Sequence, residues 1–152
     1  MKTTIVVCAL LCTLVTVICG VAALAGPSQD PTAELLALEQ SAMEGWLHGN
    51  PDANLALLDP SVTYFHVPLE ARLDGLPAVK AFFEPYRGRP LFDSYEIVAP
   101  KTQVWGDLAV FTYTLVTHNG TVVNRWNSTE VYVRQRENWR VIHAHWSKAG
   151  RP

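Results

Sequence analysis

The segment Trp139-Arg140-Val141-Ile142-His143-Ala144-His145-Trp146-Ser147 decides the fold of this chain. It closes a run of four strand-like segments that fills the C-terminal third. Tight turns join these segments, and helix-like segments precede them. A curled sheet that is wrapped by helices forms a cone with an internal pocket, so this ending predicts a pocket protein.

The turn residues between the strands locate the other three strands, which precede that segment in the chain. Asn119-Gly120 is the strongest hairpin signal, because a type I′ turn needs positive φ at both positions. Arg136-Glu137-Asn138 predicts the next turn, and Gly106-Asp107 the one before. The strands are therefore expected at Tyr95–Trp105, with a break or bulge near Pro100, and at 108–118, 121–134 and 139–147.

The N-terminal half has the apolar spacing of helices. Asp30 can cap a helix that has Pro31 at its first position. Its apolar stripe is formed by Leu35, Leu38, Ala42 and Trp46, and Gly49 and Pro51 end it. A short helix at Ala53–Leu58, a strand at Ser61–Val67, a turn at Asp74-Gly75 and a helix from Pro77 to about Pro85 follow, the last with Val79, Phe82 and Phe83 facing inward. The order predicts an α+β fold with an antiparallel meander.

The first 25 residues are typical of a secretory signal peptide. Lys2 is the one charged residue before Asp30, a long apolar run follows it, and Ala23-Leu24-Ala25 is a suitable cleavage site. We therefore expect a secreted or periplasmic protein with a linker at 26–32 and a domain at 33–149. The alternative is an uncleaved anchor, since roughly 20 apolar residues can span a bilayer.

Cleavage would remove every cysteine, because Cys8, Cys12 and Cys19 all lie in this segment. The mature chain then has no disulfide, no thiolate nucleophile and no cysteine metal site. Removing Lys2 leaves 11 basic against 14 acidic residues. This mild negative charge argues against nucleic acid or an anionic membrane as the partner.

The chain resembles the nuclear transport factor 2-like superfamily, and within it the association domain of calcium/calmodulin-dependent protein kinase II and the SnoaL-like proteins. The resemblance covers about Ala33 to Ser147. It is carried by the order of elements, by Asp59-Pro60-Ser61-Val62 and Asp74-Gly75-Leu76, by the helix to Phe83 and by the final strand. It implies a cone-shaped fold that hosts isomerases, cyclases, dehydratases and assembly hubs.

The resemblance also implies differences at the site. Where the kinase hub has pocket arginines, this chain has Glu130 and Trp146, and Val79 takes the place of a helix histidine. The resemblance therefore implies that this chain can self-associate like the kinase hub, but that it should not recognise the same acidic ligand. In the isomerase branch the catalytic aspartate corresponds to Phe65 and the catalytic tyrosine to Ala42.

Glu130 lies in the middle of a predicted strand. If its face lines the cone, it is a carboxylate in a partly dry pocket and a candidate base or ligand contact. The alternative is an ion pair with Arg125 or Arg134 at the rim of the sheet.

His143 and His145 share one face of the last strand, because side chains alternate along a strand. We expect them at a subunit interface, with Arg134 and Arg140 nearby. With His66 or Glu130 they could instead form a metal site of two histidines and one carboxylate, but no metal or other cofactor is expected.

The remaining candidates are aromatic. Tyr64 and His66 lie on one strand, and His66 could act as a base near neutral pH. The expected ligand-binding residues are Trp46, Tyr64, His66, Tyr113, Glu130 and Trp146, with Trp126 as a further lining candidate; core packing is the alternative for each aromatic. Asn119 and Asn127 each begin an Asn-X-Thr triplet, which is the acceptor pattern for N-glycosylation in a secreted eukaryotic protein. We interpret these triplets as chance occurrences and turn-forming residues rather than as glycosylation sites.

These observations predict a homodimer or larger ring that binds a small, largely apolar ligand. The alternatives are an enzyme of the isomerase, cyclase or dehydratase type that uses His66 or Glu130, and an oligomerisation module without a ligand.

Overall fold

The computed structural model describes residues 30–150. The helices are α1 (Thr32–Leu47), α2 (Asp52–Leu57) and α3 (Leu76–Phe83), followed by one 3-10 turn (Glu84–Tyr86). The strands are β1 (Leu58–Phe65), β2 (Leu73–Asp74), β3 (Ser94–Trp105), β4 (Leu108–Asn119), β5 (Val122–Gln135) and β6 (Asn138–Lys148). The expected signal peptide lies outside the described residues. Within them, no helix is both long and apolar enough to cross a membrane.

The six strands form one sheet in the order β2-β1-β6-β5-β4-β3. The antiparallel meander predicted for the last four strands is confirmed. The sheet also has a parallel pair, because β1 adds beside β6 with Tyr64 opposite Ala144. β2, at the predicted Asp74-Gly75 turn, pairs antiparallel with β1. The fold is therefore α+β, with helices on one face of a largely antiparallel sheet.

The β4–β5 turn differs from the expected one by one residue. Asn119 pairs with Val122, so the two loop residues are Gly120 and Thr121, and Gly120 alone has positive φ, at 56°. Glycine at the first loop position is typical of a type II′ turn, whereas the sequence predicted type I′ at Asn119-Gly120. The Gly120 amide also donates to Asp93 Oδ2 at 2.7 Å, which ties the turn to the start of β3.

Two register shifts interrupt the antiparallel meander of β3 to β6. The register of β3 shifts between Val98 and Lys101, where Ala99 has φ of 51°, at the position predicted from Pro100. The β5–β6 register shifts beside Tyr132. An extra residue in one strand bends the pair and increases its twist. Because they bend the strands, these bulges allow the sheet to curl around the helices.

The helices pack against the inner face of the sheet. The α1 residues Leu35, Ala42 and Trp46 are buried, as their spacing predicted, and contribute to a core with the inward side chains of β4 and β6. Gly49 ends α1 with φ of 65°, and a side chain there would collide with the backbone at Arg89. This close approach fixes the end of α1 against the loop before β3.

Candidate functional site

The inner face of the sheet and the three helices line a cavity of ≈ 280 Å³ that is partly open to solvent. Its wall is mostly aromatic and aliphatic, which is typical of small-molecule sites. It is lined by Met43, Trp46, Asn54, Tyr64, His66, Phe82, Phe83, Tyr86, Leu91, Phe92, Leu115, Thr117, Asn124, Trp126 and Trp146. Its volume is almost twice the roughly 150 Å³ of an apolar cavity that holds one benzene.

Two polar atoms in this wall have no hydrogen-bond partner among residues 30–150. They are Asn54 Oδ1 on α2 and His66 Nδ1 just beyond β1, and both are shielded from solvent. A buried polar atom without a partner costs free energy, because it has lost its bond to water. Both side chains line the cavity, so either water or a ligand in the cavity can supply the missing hydrogen-bond partners.

His66 is surrounded by rings. The Tyr64 ring is parallel to the imidazole within 5°, with 6.1 Å between centroids, and Trp126 and Phe82 lie at 5.6 and 5.9 Å. Burial lowers the pKa of His66 below its ordinary value of 6.5. The imidazole is therefore neutral at pH 7, so one of its nitrogens donates a hydrogen bond and the other accepts one, depending on the tautomer.

A polar network is buried beside the cavity. Glu39 on α1 faces the sheet, where the Tyr113 hydroxyl donates to Glu39 Oε2 at 2.8 Å and the Tyr132 hydroxyl contacts Glu39 Oε1. The same Tyr132 hydroxyl lies 2.9 Å from Glu130 Oε2, and Ser128 donates to Glu130 Oε1 at 3.2 Å. Both carboxyl groups are almost fully buried, at 1% and 4% exposure.

One hydroxyl proton cannot serve both carboxyl groups. If Tyr132 donates to Glu39, its oxygen can only accept at Glu130, and Glu130 must then carry a proton of its own. Burial raises the pKa of Glu130 well above its ordinary value, and the neighbouring Glu39 raises it further, against the hydrogen bonds from Tyr132 and Ser128. Glu130 is therefore the protonated member of the network, and Glu39 accepts from the two tyrosines.

The cavity brings together most of the predicted ligand-binding residues. Trp46, Tyr64, His66, Trp126 and Trp146 all line it. Tyr113 and Glu130 do not; both belong to the buried network, and Tyr113 meets the cavity wall through an edge contact with Trp146 at 5.8 Å. Among residues 30–150 Glu130 has no ion pair with an arginine, so the alternative of a rim ion pair is wrong. Its buried position on the inner face and its raised pKa agree with the other interpretation, but it contacts the buried network and does not line the cavity. The binding role of the lining residues stays a prediction.

The sequence interpretation missed two members of the network. Glu39 occupies the apolar stripe of α1, four residues after Leu35 and three before Ala42, and this spacing was a signal for a buried carboxylate. Tyr132 follows Glu130 at the two-residue period of a strand and therefore shares its face. Asn54 was also missed, and its local sequence carries no comparable signal.

His143 and His145 share the outer face of the sheet, as predicted. His143 lies beside Val131 and His145 beside Thr129, and Thr63 Oγ1 is 2.8 Å from His143 Nδ1. The alternative metal site, in which His66 or Glu130 joins the two histidines, does not form, because His66 and Glu130 lie on the inner side of the sheet. Among residues 30–150 no cluster of three metal-ligating side chains occurs.

Comparison with known proteins identifies the family. Residues 31–150 match the model of the calcium/calmodulin dependent protein kinase II association domain, and the chain belongs to this family. No curated protein sequence matches it.

Solved structures of similar fold come from both branches of the resemblance. A protein of Parabacteroides distasonis assigned as a ketosteroid isomerase is 30% identical, with a TM-score of 0.70 over 80% of this chain and 89% of that one. The calcium/calmodulin-dependent protein kinase II hub of S. rosetta is 25% identical, with a TM-score of 0.66 over 78% and 97%. A nuclear transport factor 2-like protein of Pseudomonas putida, 22% identical with a TM-score of 0.68 over 76% and 84%, shares the fold. The fold and the family are those of an oligomerisation or ligand-binding module.

Proposed function

We propose that this chain is a self-associating module whose cavity binds a small, largely apolar ligand. The observation that carries the proposal is the aromatic cavity of ≈ 280 Å³ with two unpartnered polar atoms in its wall. A core that served packing alone would close such a volume, because protein interiors are packed as densely as organic crystals.

Self-association is supported by the outer face of the sheet. One row of neighbouring residues there runs through Phe65, His145, Thr129, Thr112 and Lys101, and Trp105 and Leu108 form an exposed apolar pair farther along. Phe65, Trp105 and Leu108 are 38%, 60% and 42% exposed. Exposed apolar groups in a polar surround are typical of protein–protein interfaces. The relative from S. rosetta is itself a hub domain.

Light scattering with a matched pair of variants tests the association. Val131 lies at the centre of the outer face, between Val110 and His143, whereas Val122 lies at the tip of the β4–β5 hairpin. We expect a dimer or larger ring for the wild type, monomers for Val131→Asp and the wild-type assembly for Val122→Asp. Circular dichroism checks that each variant folds. A wild type that is monomeric at high micromolar concentration would contradict the proposal.

Ligand binding is tested by filling the cavity. Leu115 is buried in its wall, so Leu115→Trp places a second ring in the space a ligand would occupy. We expect the wild type to bind 2-methylnaphthalene in equilibrium dialysis and Leu115→Trp to lose that binding. Val122→Trp, at the hairpin tip, is the control. If the wild type binds no naphthalene derivative, the cavity has no ligand-binding role of this kind.

Proton transfer on a bound ketone is a second candidate, and the position of His66 favours it. A neutral imidazole in an aromatic cavity can remove a proton from carbon and return it to another carbon. The relative from P. distasonis makes a small β,γ-unsaturated ketone, 3-cyclohexen-1-one, a reasonable substrate to test, because one ring fits a cavity of this volume. We expect ultraviolet absorbance to show formation of the conjugated ketone, and His66→Phe to abolish it. A rate equal to that in buffer would exclude this candidate.

Export is part of the proposal as well. Lys2, the apolar run and Ala23-Leu24-Ala25 support cleavage after Ala25. N-terminal sequencing of protein collected outside the cytoplasm should begin at Gly26. Exported protein that still begins at Met1 would favour the anchor instead.

A further inference from the structure

The two unpartnered polar atoms in the cavity wall define the chemistry of what binds there. We infer that the cavity selects a neutral aromatic molecule that carries a hydroxyl or N–H group, with Asn54 Oδ1 and His66 Nδ1 as its two hydrogen-bonding anchors. This inference rests on the proposed ligand-binding function and specifies the class of ligand.

Asn54 Oδ1 determines that the ligand is a donor. A side-chain amide oxygen can only accept, so its partner must carry an O–H or N–H group. His66 Nδ1 can take either role, because the two tautomers of a neutral imidazole differ in which nitrogen carries the proton. A hydroxyl group suits both anchors, since it donates and accepts.

The ring requirement follows from the wall. Tyr64 and His66 are stacked, parallel to within 5°, and the Trp126 ring is inclined by 34° to His66, so three aromatic rings follow one another along this part of the wall. Flat aromatic faces pack best against another ring in an offset or edge-on arrangement. The volume of ≈ 280 Å³ accommodates a molecule of about two fused rings.

The neutral charge follows from the lining residues. Within residues 30–150, the side chains that line the cavity include no lysine, arginine, aspartate or glutamate, and burial lowers the pKa of His66. Lys148 Nζ lies 5.0 Å from the centroid of the Trp126 ring, but Lys148 is exposed and is not among the lining residues. An ion of either sign that enters the lined part of the cavity would give up its hydration without a counter-ion in the lining, and that exchange is unfavourable. This separates the site from any pocket built to hold an acidic ligand.

Four probes of one ring size test the inference by equilibrium dialysis at pH 7, on the protein without the predicted signal peptide (residues 26–152). They are 2-naphthol, the hydrocarbon 2-methylnaphthalene, the anion 2-naphthoate and the cation of 2-(aminomethyl)naphthalene. We expect 2-naphthol to bind about three- to tenfold more tightly than the hydrocarbon, the worth of a neutral hydrogen bond. Both ions should bind roughly a hundredfold more weakly than 2-naphthol or not at all.

Three variants locate the anchors. Asn54→Leu and His66→Phe keep the approximate size of each side chain and delete its polar atoms, so each should reduce the preference for 2-naphthol over the hydrocarbon. Asn124→Leu makes the same change elsewhere in the wall and should leave the preference intact. Continued binding of 2-methylnaphthalene by each variant shows that the cavity is still formed.

The outcomes separate the two levels of the proposal. Equal affinity for 2-naphthol and the hydrocarbon, or an ion that binds as tightly as 2-naphthol, would overturn the inferred ligand class while the cavity remains a binding site. A preference that survives both anchor variants would overturn the assignment of the anchors. Failure of all four probes to bind would overturn the ligand-binding function itself.

Discussion

Replacing Glu130 by glutamine tests whether the buried network holds a proton. Glutamine has the shape of a protonated glutamic acid. Its oxygen can accept from Ser128, now 3.2 Å from Glu130 Oε1, and its amide can donate to the Tyr132 oxygen, now 2.9 Å from Oε2. Every hydrogen bond of the protonated network can therefore be kept. We expect the free energies of unfolding of Glu130→Gln and the wild type to agree within about 1 kcal/mol near pH 5.

The two proteins should diverge as the pH rises. Burial raises the pKa of Glu130 in the folded state, whereas the unfolded chain releases this proton near pH 4.3. Above that pH the folded state binds one proton more than the unfolded state, so the stabilisation is fully present below the unfolded pKa and is lost progressively up to the folded one. The wild type should lose about 1.4 kcal/mol per pH unit relative to the variant in that window.

Urea denaturation at fixed protein concentration, from pH 5 to 8, measures this difference. Glu137→Gln, in the exposed β5–β6 turn, is the control and should follow the wild type. Glu130 does not line the cavity, so binding of 2-methylnaphthalene by Glu130→Gln should equal that of the wild type. Parallel stability curves for the wild type and Glu130→Gln would refute the argument, because they would mean that Glu130 is ionised in the folded protein.

Three further substitutions test the packing. Trp139→Ala should cost about 3–5 kcal/mol, because the ring is 3% exposed and its Nε1 donates to Glu34; a melting temperature lowered by only a degree or two would contradict its burial. Tyr132→Phe should cost about 1–3 kcal/mol in urea denaturation, because it leaves buried carboxyl oxygens without a partner, and Tyr95→Phe, which loses a hydroxyl at an exposed site, under about 1 kcal/mol; equal losses would contradict the burial of the Tyr132 hydroxyl in this network. Asn54→Leu should raise the melting temperature of the ligand-free protein, because it removes a buried acceptor without a partner; a lowered one would mean that the oxygen is satisfied.

The local elements were predictable because their signals are local. The stripe that includes Leu35, Ala42 and Trp46 identified α1, and the residues at 119–120 identified the β4–β5 hairpin to within one position. The shift of that turn has a nonlocal cause, since Asp93 from the start of β3 accepts from the Gly120 amide. The parallel pairing of β1 with β6 joins segments about 80 residues apart, and no local pattern specifies such a pair.

The sequence by itself determined the order and type of the longer elements, the family resemblance and the aromatic character of the inner face, because periodicity and turn chemistry act over a few residues. The tertiary structure decided which polar groups meet. Glu39 and Glu130 are 91 positions apart in the chain and share one tyrosine hydroxyl only because α1 lies over the inner face of the sheet. It likewise placed Asn54 and His66 in one wall and turned His143 to the opposite face. The proton in the network and the chemistry of the cavity depend on distances that only the packed chain defines.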